Sequence, residues 1–524
     1  MKKEKFACAG NTRQRFFLFH FLFFVLFSAL QPAAVGQKMI DYTSGMGSRD
    51  AQNPNVWILY KGVEAKHEGM TLRADSAHFN MEQNSFTAFR HVHITLSDTT
   101  FILGNRLYYD GETRILDIWA DTVVLIDGAT VLKANHLTYD RNQTLAFYDK
   151  WGHAVSRNQS LDSKQGYYNS TVKEFYIYND VRLSDSTILI TTDYMNYNTV
   201  TTVAHFETPT HVYSDSSTIY SELGEYNTDM RFAISYKKSH VDGIGWMIDS
   251  DTLFYDEVYD YGRAMGNVTY IDSLNFITCT GKFGESNRAE HYSYMTDSTL
   301  IMHVDEYGDS LFLHADTVYM TVDSSNHLNT LRANNNVRMF RDDLQAVCDS
   351  AFYYGSDRLL FMFKKPMIWF DHYQCSADTI ELLHDTVGMR LAVFRNNCFT
   401  IQQVDHDNFN QISGLHGQVV YRNAKPDYAD VYGNATMVFH ITETSEDSIS
   451  TVMVGSNVGR GTSIRIYFDT NRAPKRVVTY DKPEMETYPP GQLPEEWRRL
   501  PGFEWQSAIR PRSPKEVMKQ TDSR

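Results

Sequence analysis

The residues with the most obvious chemistry are two small groups of possible metal ligands. His91 and His93 are two residues apart, and Asp405, His406 and Asp407 are consecutive. In a strand, a spacing of two places both histidines on one face, where they could share a metal ion. A closed zinc site needs four ligands, and neither group supplies them. We therefore favour a structural role for both groups and predict no metal and no cofactor.

The sequence contains none of the short motifs that mark common catalytic centres. A G-x-S-x-G elbow, an H-E-x-x-H pair, a P-loop and the kinase motifs are all absent. Acidic residues are abundant, so a pair of carboxylates of the glycosidase type stays open as an alternative. Most of these acids recur at turn positions of the repeat described below, which favours a structural role. We predict that the protein is not an enzyme.

Four of the five cysteines follow the N-terminal segment, at Cys279, Cys348, Cys375 and Cys398. They are far apart and none forms a C-x-x-C pair, so the usual zinc and redox motifs are absent. An exported protein can carry disulfides, and the sequence leaves open whether any form.

An aspartate followed by Ser or Thr and then an apolar residue recurs along the chain. The triplets are Asp75-Ser76-Ala77, Asp121-Thr122-Val123, Asp251-Thr252-Leu253, Asp309-Ser310-Leu311, Asp349-Ser350-Ala351 and Asp378-Thr379-Ile380. The pattern resembles an O-glycosylation signal of exported proteins. It is equally typical of turn chemistry, in which Asp and Ser favour the bend and the apolar residue restarts the strand. We favour the turn.

The N-terminus and the charge limit where the protein works. Residues 1–36 combine a basic start, an apolar run from Phe16 to Leu30 and small residues before Gln37, which predicts a cleaved secretory signal. A retained membrane anchor is the alternative, but the run is shorter than the ~20 residues that cross a bilayer. The chain has 49 Lys and Arg against 64 Asp and Glu, a net charge of −15. An acidic protein of this kind does not suit nucleic acid, whose phosphates need a basic surface.

A repeat of about 30 residues runs through the chain. Its pattern is apolar, x, small, Asp or Asn, x, apolar, x, aromatic, Asn or Asp, and aromatic residues make up 14% of the composition. The aromatic anchors lie 28 to 30 residues apart, at Phe79, Tyr109, Tyr139, Tyr168, Tyr197, Tyr226, Tyr255 and Phe283. Weaker copies have anchors near Met320, Tyr353, Leu382 and Tyr421. Such regularity predicts a repeat architecture.

Each position of the repeat has a physical reason. Apolar sites two residues apart share one face of a strand, and the Asx after the anchor can cap a turn through its side chain. Gly166, Gly224 and Gly281 replace an apolar residue, which indicates a bulge or a close backbone approach. We expect about three short strands per repeat. One repeat cannot bury its own apolar face, so neighbours must stack as a sandwich, an open barrel or a solenoid.

The chain divides into four predicted parts. Residues 1–36 are the signal, 37–290 a regular repeat region, 291–482 a second and less regular repeat region, and 483–524 a Pro-rich C-terminal tail. Glu496-Trp497-Arg498-Arg499 and Phe503-Glu504-Trp505 are candidates for a docking motif in the tail. We favour a loosely ordered tail instead.

The repeat, together with the export signal, resembles the OstA-like family of periplasmic lipopolysaccharide-transport proteins over about residues 55–425. The steps Ala74-Asp75, Ala134-Asn135, Ala315-Asp316 and Ala377-Asp378 are similar to the family's small–Asp step. Gly266-Asn267-Val268-Thr269-Tyr270 and Asn336-Val337-Arg338-Met339 are similar to its G-N-V motif. The resemblance implies an all-β fold, a repetitive open β-jellyroll in which lipid acyl chains lie in an apolar groove. The chain is longer than a single-jellyroll bridge protein and lacks a C-terminal run of membrane strands.

These observations predict a periplasmic lipid-binding bridge or scaffold in lipopolysaccharide transport to the outer membrane of a Gram-negative envelope. The resemblance implies three kinds of partner: lipopolysaccharide acyl chains, other transport proteins joined by edge-strand pairing, and further copies joined end to end. The inward positions that we expect to bind lipid are Ile94, Leu96, Val123, Leu125, Val181, Leu183 and Val212. The alternative is an exported structural or adhesive β-repeat protein with a closed core, which binds proteins or glycans and would show outward-facing aromatic ladders.

Overall fold

The computed structural model describes residues 39–305, 308–325, 327–386, 388–444, 451–469 and 472–519. These residues form 38 β-strands and two helices of four residues each. Every strand pairing with a described register is antiparallel, so the predicted all-β class and repetitive β-jellyroll are confirmed. The predicted signal segment, residues 1–36, lies outside the described residues.

The chain forms two compact units, and the first comprises described residues 39–128 and 133–145. This division differs from the predicted boundary after residue 290, which falls in the turn between two directly paired strands. The strands of the first unit are β1 (Asp41–Thr43), β2 (Met46–Arg49), β3 (Val56–His67), β4 (Met70–Asn80), β5 (Ser85–Thr95), β6 (Thr100–Asp110) and β7 (Ile115–Asp127). Strands β8 (Thr130–Asp140) and β9 (Leu145–Tyr148) have residues in both units.

The second unit comprises residues 129–132 and the chain from residue 146 onward. Its elements are β10 (Gly152–Ser156), β11 (Gln159–Ser163), β12 (Gln165–Asn169), β13 (Glu174–Ser184), β14 (Ile188–Asn198), β15 (Val203–Phe206), β16 (Thr210–Ser214), β17 (Ser217–Ser221), β18 (Leu223–Asn227), β19 (Phe232–Lys237), β20 (Ser239–Gly243), β21 (Trp246–Ser250), β22 (Thr252–Asp256), β23 (Tyr261–Asp272), β24 (Ile277–Asn287), β25 (Tyr292–Val304), β26 (Ser310–Val322), β27 (Leu328–Arg341), β28 (Leu344–Tyr354), β29 (Leu359–Phe363), β30 (Met367–Phe370), β31 (Tyr373–Ser376), β32 (Thr379–His384), β33 (Met389–Gln403), β34 (Phe409–Arg422), β35 (Lys425–Thr444), β36 (Thr451–Phe468), β37 (Pro474–Tyr480), β38 (Glu484–Tyr488), α1 (Glu495–Arg498) and α2 (Pro514–Val517).

Many of the long strands bend at a corner formed by two consecutive residues of positive φ. In β13 these residues are Asn179 (φ 64°) and Asp180 (φ 52°), and both oppose the single residue Asp193 of β14. Two residues against one is a β-bulge, which bends the strand and increases its twist. Equivalent pairs are Lys61-Gly62, Arg90-His91, Gly266-Asn267, Asp297-Ser298, Asn335-Asn336, Asn396-Asn397 and Gly433-Asn434. The G-N-V motifs therefore mark corners within strands.

The small–Asp step of the repeat holds these corners. The Asp378 carboxylate accepts hydrogen bonds from Asn397 Nδ2, at 3.1 Å from each oxygen. Asp316 accepts from Asn336 Nδ2 in the same way, and one oxygen of Asp251, Oδ2, accepts from Asn267 Nδ2 at 2.9 Å. We call this contact the corner clasp. It gives a structural role to Asp251 and Asp378, the first residues of two of the recurring Asp-Thr pairs.

Each strand therefore has a segment on either side of its corner, and the two segments belong to two walls. The first wall ends at the Asx turns, such as that of Asn198, whose Oδ1 accepts from the N–H groups of Val200 and Thr201. The second wall ends at the opposite turns, such as Ser184–Thr187. A repeat supplies two bent strands, or four short ones where the corner interrupts them, and not the expected three.

The walls fold over so that their far ends meet. His67 lies at the second-wall end of β3, whereas Tyr109 lies in register with Phe86 at the first-wall end. Nevertheless, His67 Nδ1 is 2.6 Å from the Tyr109 hydroxyl. A flat sheet would hold these ends about 30 Å apart at ~3.3 Å per residue. We call the line along which the two ends meet the seam.

Inward residues of the first wall alternate in size along the ladder. In the second unit, Tyr197 opposes Ala204, which opposes Tyr226, which opposes Ala233. Large residues against small ones fill the interior at native density. The predicted anchors from Phe79 to Tyr255 are all buried. Phe283 is an incorrect prediction, because Ser286 occupies the anchor register opposite Gly262 and Phe283 points to the other face.

The expected close approaches at three glycines are also present. A Cβ on Gly224 would lie 2.4 Å from the Ile234 carbonyl oxygen, and one on Gly281 2.7 Å from Met295 Cγ. The expectation of a loosely ordered tail is wrong. Residues 489–517 pack on the outer face of the second wall, because Trp497, Leu500 and Val517 bury apolar surface there.

Candidate apolar-ligand site

Three of the four lipid-binding positions predicted in the first unit lie on one inner surface. Ile94, its neighbour Ile102 and Leu125 form a continuous inward ladder, and Val123 lies two residues from Leu125 on the same face. Leu96 is half-buried beyond the end of β5, where its N–H donates to Thr100. The structure therefore groups three of the four residues inside the fold.

The three predicted positions in the second unit are also grouped. Leu183 opposes Ile190, which opposes Val212, and Val181 is two residues from Leu183. Val181, Leu183 and Val212 are 1–2% exposed, and neighbouring side chains fill the space around them. Their contact with a lipid stays a prediction, and room for one would require the walls to part.

Polar contacts hold the seam of the first unit. The Tyr109 hydroxyl contacts His67 at 2.6 Å and accepts from Arg141 Nη1 at 3.0 Å. Arg141 Nη2 also donates to the Glu68 carbonyl, and Arg114 pairs with the Glu68 carboxylate at 2.6 Å. Burial raises the pKa of Tyr109, so its hydroxyl stays protonated and able to donate. The network fastens one wall to the other.

The second unit has an equivalent seam contact. The Tyr197 hydroxyl donates to Gln159 Oε1, and Gln159 Nε2 donates to Thr228 at 2.5 Å. Burial raises the pKa of Tyr197 to about 12. An anchor tyrosine thus has two roles, because its ring fills the interior while its hydroxyl reaches the opposite wall. The sequence signal for this second role is Tyr in place of Phe at the anchor.

A buried ion pair follows along the same unit. Arg231 bonds Glu257 Oε2 through Nε at 3.2 Å and Nη2 at 2.8 Å, and the Tyr226 hydroxyl contacts Oε1 at 3.3 Å. The Glu257 side chain is 1% exposed. Burial raises the pKa of Glu257, and the hydrogen bond from Arg231 opposes that rise.

A first cavity, cavity A, lies between β21 and β26 in the second unit. It measures about 600 Å³, including space continuous with solvent. Its lining is mainly apolar and aromatic, with Trp246, Ile248, Tyr270 and Met295 among its residues, and Asp260 and Arg288 add charge. The Arg288 guanidinium lies 5.5 Å from the Trp246 ring centre. Cavity A can accept an apolar group that carries a polar end.

A larger cavity, cavity B, lies between β30 and β37. It measures about 820 Å³, counted in the same way. Apolar atoms dominate its lining, to which Phe394, Ile412, Val431, Met437 and Ile466 contribute. The absence of side-chain charge from most of the lining favours an apolar ligand over a charged one.

Small inward residues create cavity B. The second-wall ladder places Cys375 against Thr400, and the first-wall ladder places Phe394 against Gly417. A Cβ on Gly417 would lie 2.5 Å from Cys398 Sγ. Sequence reasoning missed this site because it relied on the regular first repeats. Small residues at inward positions of the irregular repeats are the signal that could have revealed it.

The two groups of possible metal ligands have other contacts in the structure. His91 Nδ1 lies 2.9 Å from Asp75, and His406 Nδ1 lies 2.9 Å from Asp407. Among the described ranges, no three His, Cys, Asp or Glu side chains are arranged to hold a metal ion. Within the same ranges, neither helix has the length and apolar character that a membrane crossing requires.

Folded-over antiparallel repeats with an apolar interior define the class of repetitive β-jellyroll proteins. Within that class, the family model described as OstA-like protein matches residues 39–193 and 176–251 of this chain. The resemblance inferred from the repeat is therefore confirmed for residues 39–251. The matched segment includes all seven predicted lipid-binding positions, whereas cavity B lies C-terminal to it. A search of curated proteins found no match to the chain.

Proposed function

We propose that this protein is a periplasmic binding protein, not an enzyme, that holds the acyl chains of lipopolysaccharide during transport to the outer membrane. The observation that carries the proposal is the match of residues 39–251 to the OstA-like family model. The mainly apolar cavities A and B support it, although cavity B and most of the cavity A lining lie C-terminal to the matched segment. Such an interior shields hydrocarbon from water, and burial of apolar surface provides about 25 cal/mol per Å². The predicted export signal agrees with the proposed location.

Edge strands support the proposed pairing with other transport proteins and with further copies. Strands β37 and β38 each pair with β36 near the C-terminal end of the second unit. Residues Glu484 to Thr487 of β38 are exposed. An exposed edge can add a strand from another chain through main-chain hydrogen bonds.

The test is photo-crosslinking with a benzophenone amino acid in place of Phe394, which lines cavity B. Val393 is the control, because it is adjacent on the same strand and points outward. A second pair is Leu183, which is inward, with Arg182, which is exposed. After irradiation with lipopolysaccharide, we expect adducts at Phe394 and Leu183 and none at the controls. Absence of adducts at both inward positions would refute the proposal.

A second candidate is a structural or adhesive β-repeat protein that binds glycans. The observation in its favour is an outward aromatic ladder in the second unit, with ring centres 4.8, 6.4 and 5.0 Å apart from Phe147 through Tyr167 and Tyr178 to Tyr194. Close packing around Leu183 also agrees with a closed core. Glycan-array binding that is lost in Tyr178→Ala, with no lipid adducts, would favour this candidate.

A further inference from the structure

The C-terminal segment docks on the second wall in a regular way. We call residues 489–517 the strap. It follows β38 and crosses the outer face of the second wall, and α2 at its end reaches β26 and β27. Three glutamines of that face, Gln345, Gln374 and Gln411, are 1–4% exposed although glutamine usually lies at the surface. Each of them contacts the strap.

Gln374 and Gln411 bind the strap backbone in the same manner. Gln374 Nε2 donates to the Glu504 carbonyl at 2.6 Å, and its Oε1 accepts from the Gln506 N–H at 2.8 Å. Gln411 repeats this six residues earlier in the strap, with the Arg498 carbonyl at 2.9 Å and the Leu500 N–H at 2.9 Å. Each amide thus satisfies a carbonyl and an N–H two residues apart. The hydrogen bonds of these two glutamines involve the backbone of the strap and not its side chains.

The third glutamine binds the strap six residues beyond the position that Gln374 binds. Gln345 Oε1 accepts from Arg510 Nε at 2.8 Å and from Arg510 Nη2 at 2.6 Å. Arg338 Nη2 donates to the adjacent Ile509 carbonyl at 3.1 Å. The docking positions Arg498, Glu504 and Arg510 are therefore evenly spaced. They match glutamines on β34, β31 and β28, which alternate with β33 and β30 across the wall.

A turn separates each docking position from the next. The N–H groups of Trp497, Phe503 and Ile509 donate to the carbonyls three residues earlier, at 3.1, 3.0 and 3.2 Å. These three residues are large and apolar, and they too recur every six residues. Repeated turns shorten the strap so that six residues advance by two strands, roughly 10 Å at the usual strand separation.

Apolar contacts anchor the N-terminal half of the strap. Trp497 and Leu500 join Phe399, Ile401, Phe409, Val438 and Val458 in one buried cluster. Arg460 lies 4.4 Å from the Trp497 ring centre, and Arg499 lies 4.7 Å from that of Phe503. Deeply packed aromatic residues with neighbouring Arg are typical of interface hot spots. The first residues of the strap, Pro489 to Gln492, are exposed.

We propose that this face of the second wall is a peptide-recognition site whose ligand is a segment with the strap's six-residue pattern. The pattern consists of a turn, a large apolar residue and a position that a buried glutamine binds. The first two positions are bound through backbone atoms, and the third is bound through the Arg510 side chain. The chain's own strap fills the site, and the strap of a second copy fits it by the same contacts. Nothing in the contacts of Gln374 and Gln411 requires the strap to be covalently joined to the wall. This inference does not depend on the proposed lipid function.

The experiment places a protease recognition sequence at Gly491 of the full-length protein. After folding and cleavage, the nicked protein is mixed with a fluorescent peptide of residues 492–519. We expect the nicked protein to exchange its strap for the peptide and the uncut protein to bind none at the same concentration. Gln374→Glu retains an acceptor for Gln506 but loses the donor for Glu504, and should weaken the affinity about tenfold. Gln143→Glu, at an exposed turn of the first unit, is the control and should change nothing.

Two outcomes would overturn the proposal. The first is a nicked protein that keeps its circular dichroism spectrum but takes up no peptide. The second is equal uptake of a peptide in which Trp497 and Phe503 are both Ala, because binding would then not depend on the large apolar residues of the pattern. Loss of the folded spectrum on cleavage would also refute it, since the strap would then be part of the folding core. Lipid crosslinking at Phe394 of the uncut protein is scored separately.

Discussion

Replacing Arg231 by Met should destabilise the second unit in a way that depends on pH. The guanidinium makes two hydrogen bonds to Glu257, whose side chain is 1% exposed, whereas that of Arg231 is 32% exposed. Methionine preserves much of the aliphatic packing but leaves a buried carboxylate without its cation. Removing one partner of a buried pair costs about 3–5 kcal/mol. Because Arg231 is about a third exposed, we expect the lower end, about 3 kcal/mol at pH 8.

The sign of the pH effect follows from the direction of the Glu257 pKa. Its folded-state value is above the usual 4.5 because burial disfavours the charged form. The folded state therefore binds the proton more tightly than the unfolded state, so stability falls as pH rises between the two values. Without Arg231 the folded pKa rises further. The penalty of the substitution should then shrink by about 1.4 kcal/mol per pH unit as pH falls from the folded-state pKa of Glu257 in the variant to that in the unaltered protein.

Hydrogen exchange of amides in β18 and β22 is the suitable assay, because a chain with two units need not unfold in one transition. Protection factors, corrected for intrinsic exchange, are compared at pH 5 and pH 8. The double variant Arg231→Met with Glu257→Gln carries no buried charge and should lose most of the pH dependence. A penalty equal at both pH values in the single variant would refute the reasoning, since the cost would then arise from packing alone.

Three further predictions test the fold. Gly224→Ala should lower the melting temperature, because the new Cβ would lie 2.4 Å from a backbone oxygen and overpacking destabilises a fold by about 1–3 kcal/mol. Gly262→Ala is the control and should change the melting temperature little, because no atom lies closer than 3.7 Å to its Cβ. Asp378→Ala removes a corner clasp and should raise amide exchange at the adjacent corner by about fivefold, near 1 kcal/mol. Unchanged exchange would show that the clasp does not stabilise the corner. Burial raises the pKa of Cys279 and Cys375 to about 12, so iodoacetamide at pH 8 should label both thiols only after unfolding; rapid labelling of the native protein would contradict their burial.

Much of the local structure was predictable because its causes are local. The spacing of two between apolar sites predicts strands, and the Asx after each anchor predicts a turn that Asn198 forms through its own carboxamide. The prediction of inward residues failed where the strand register determines which face a residue occupies. Phe283 fits the aromatic spacing, but extra residues shift the ladder so that Ser286 takes the inward position. An aromatic residue alone does not reveal which face of a strand it occupies.

The sequence by itself determined the repeat, the strand class, the turns and the resemblance to OstA-like proteins, since each depends on residues within about 30 positions. Only the tertiary structure decided which distant ends meet. The contact of His67 with Tyr109 depends on the accumulated bends of several corners. Cavity B depends on the summed volumes of side chains from many strands. The strap docks because buried glutamines far away in sequence, such as Gln374, match its backbone. These features arise from packing between remote segments, which no local pattern encodes.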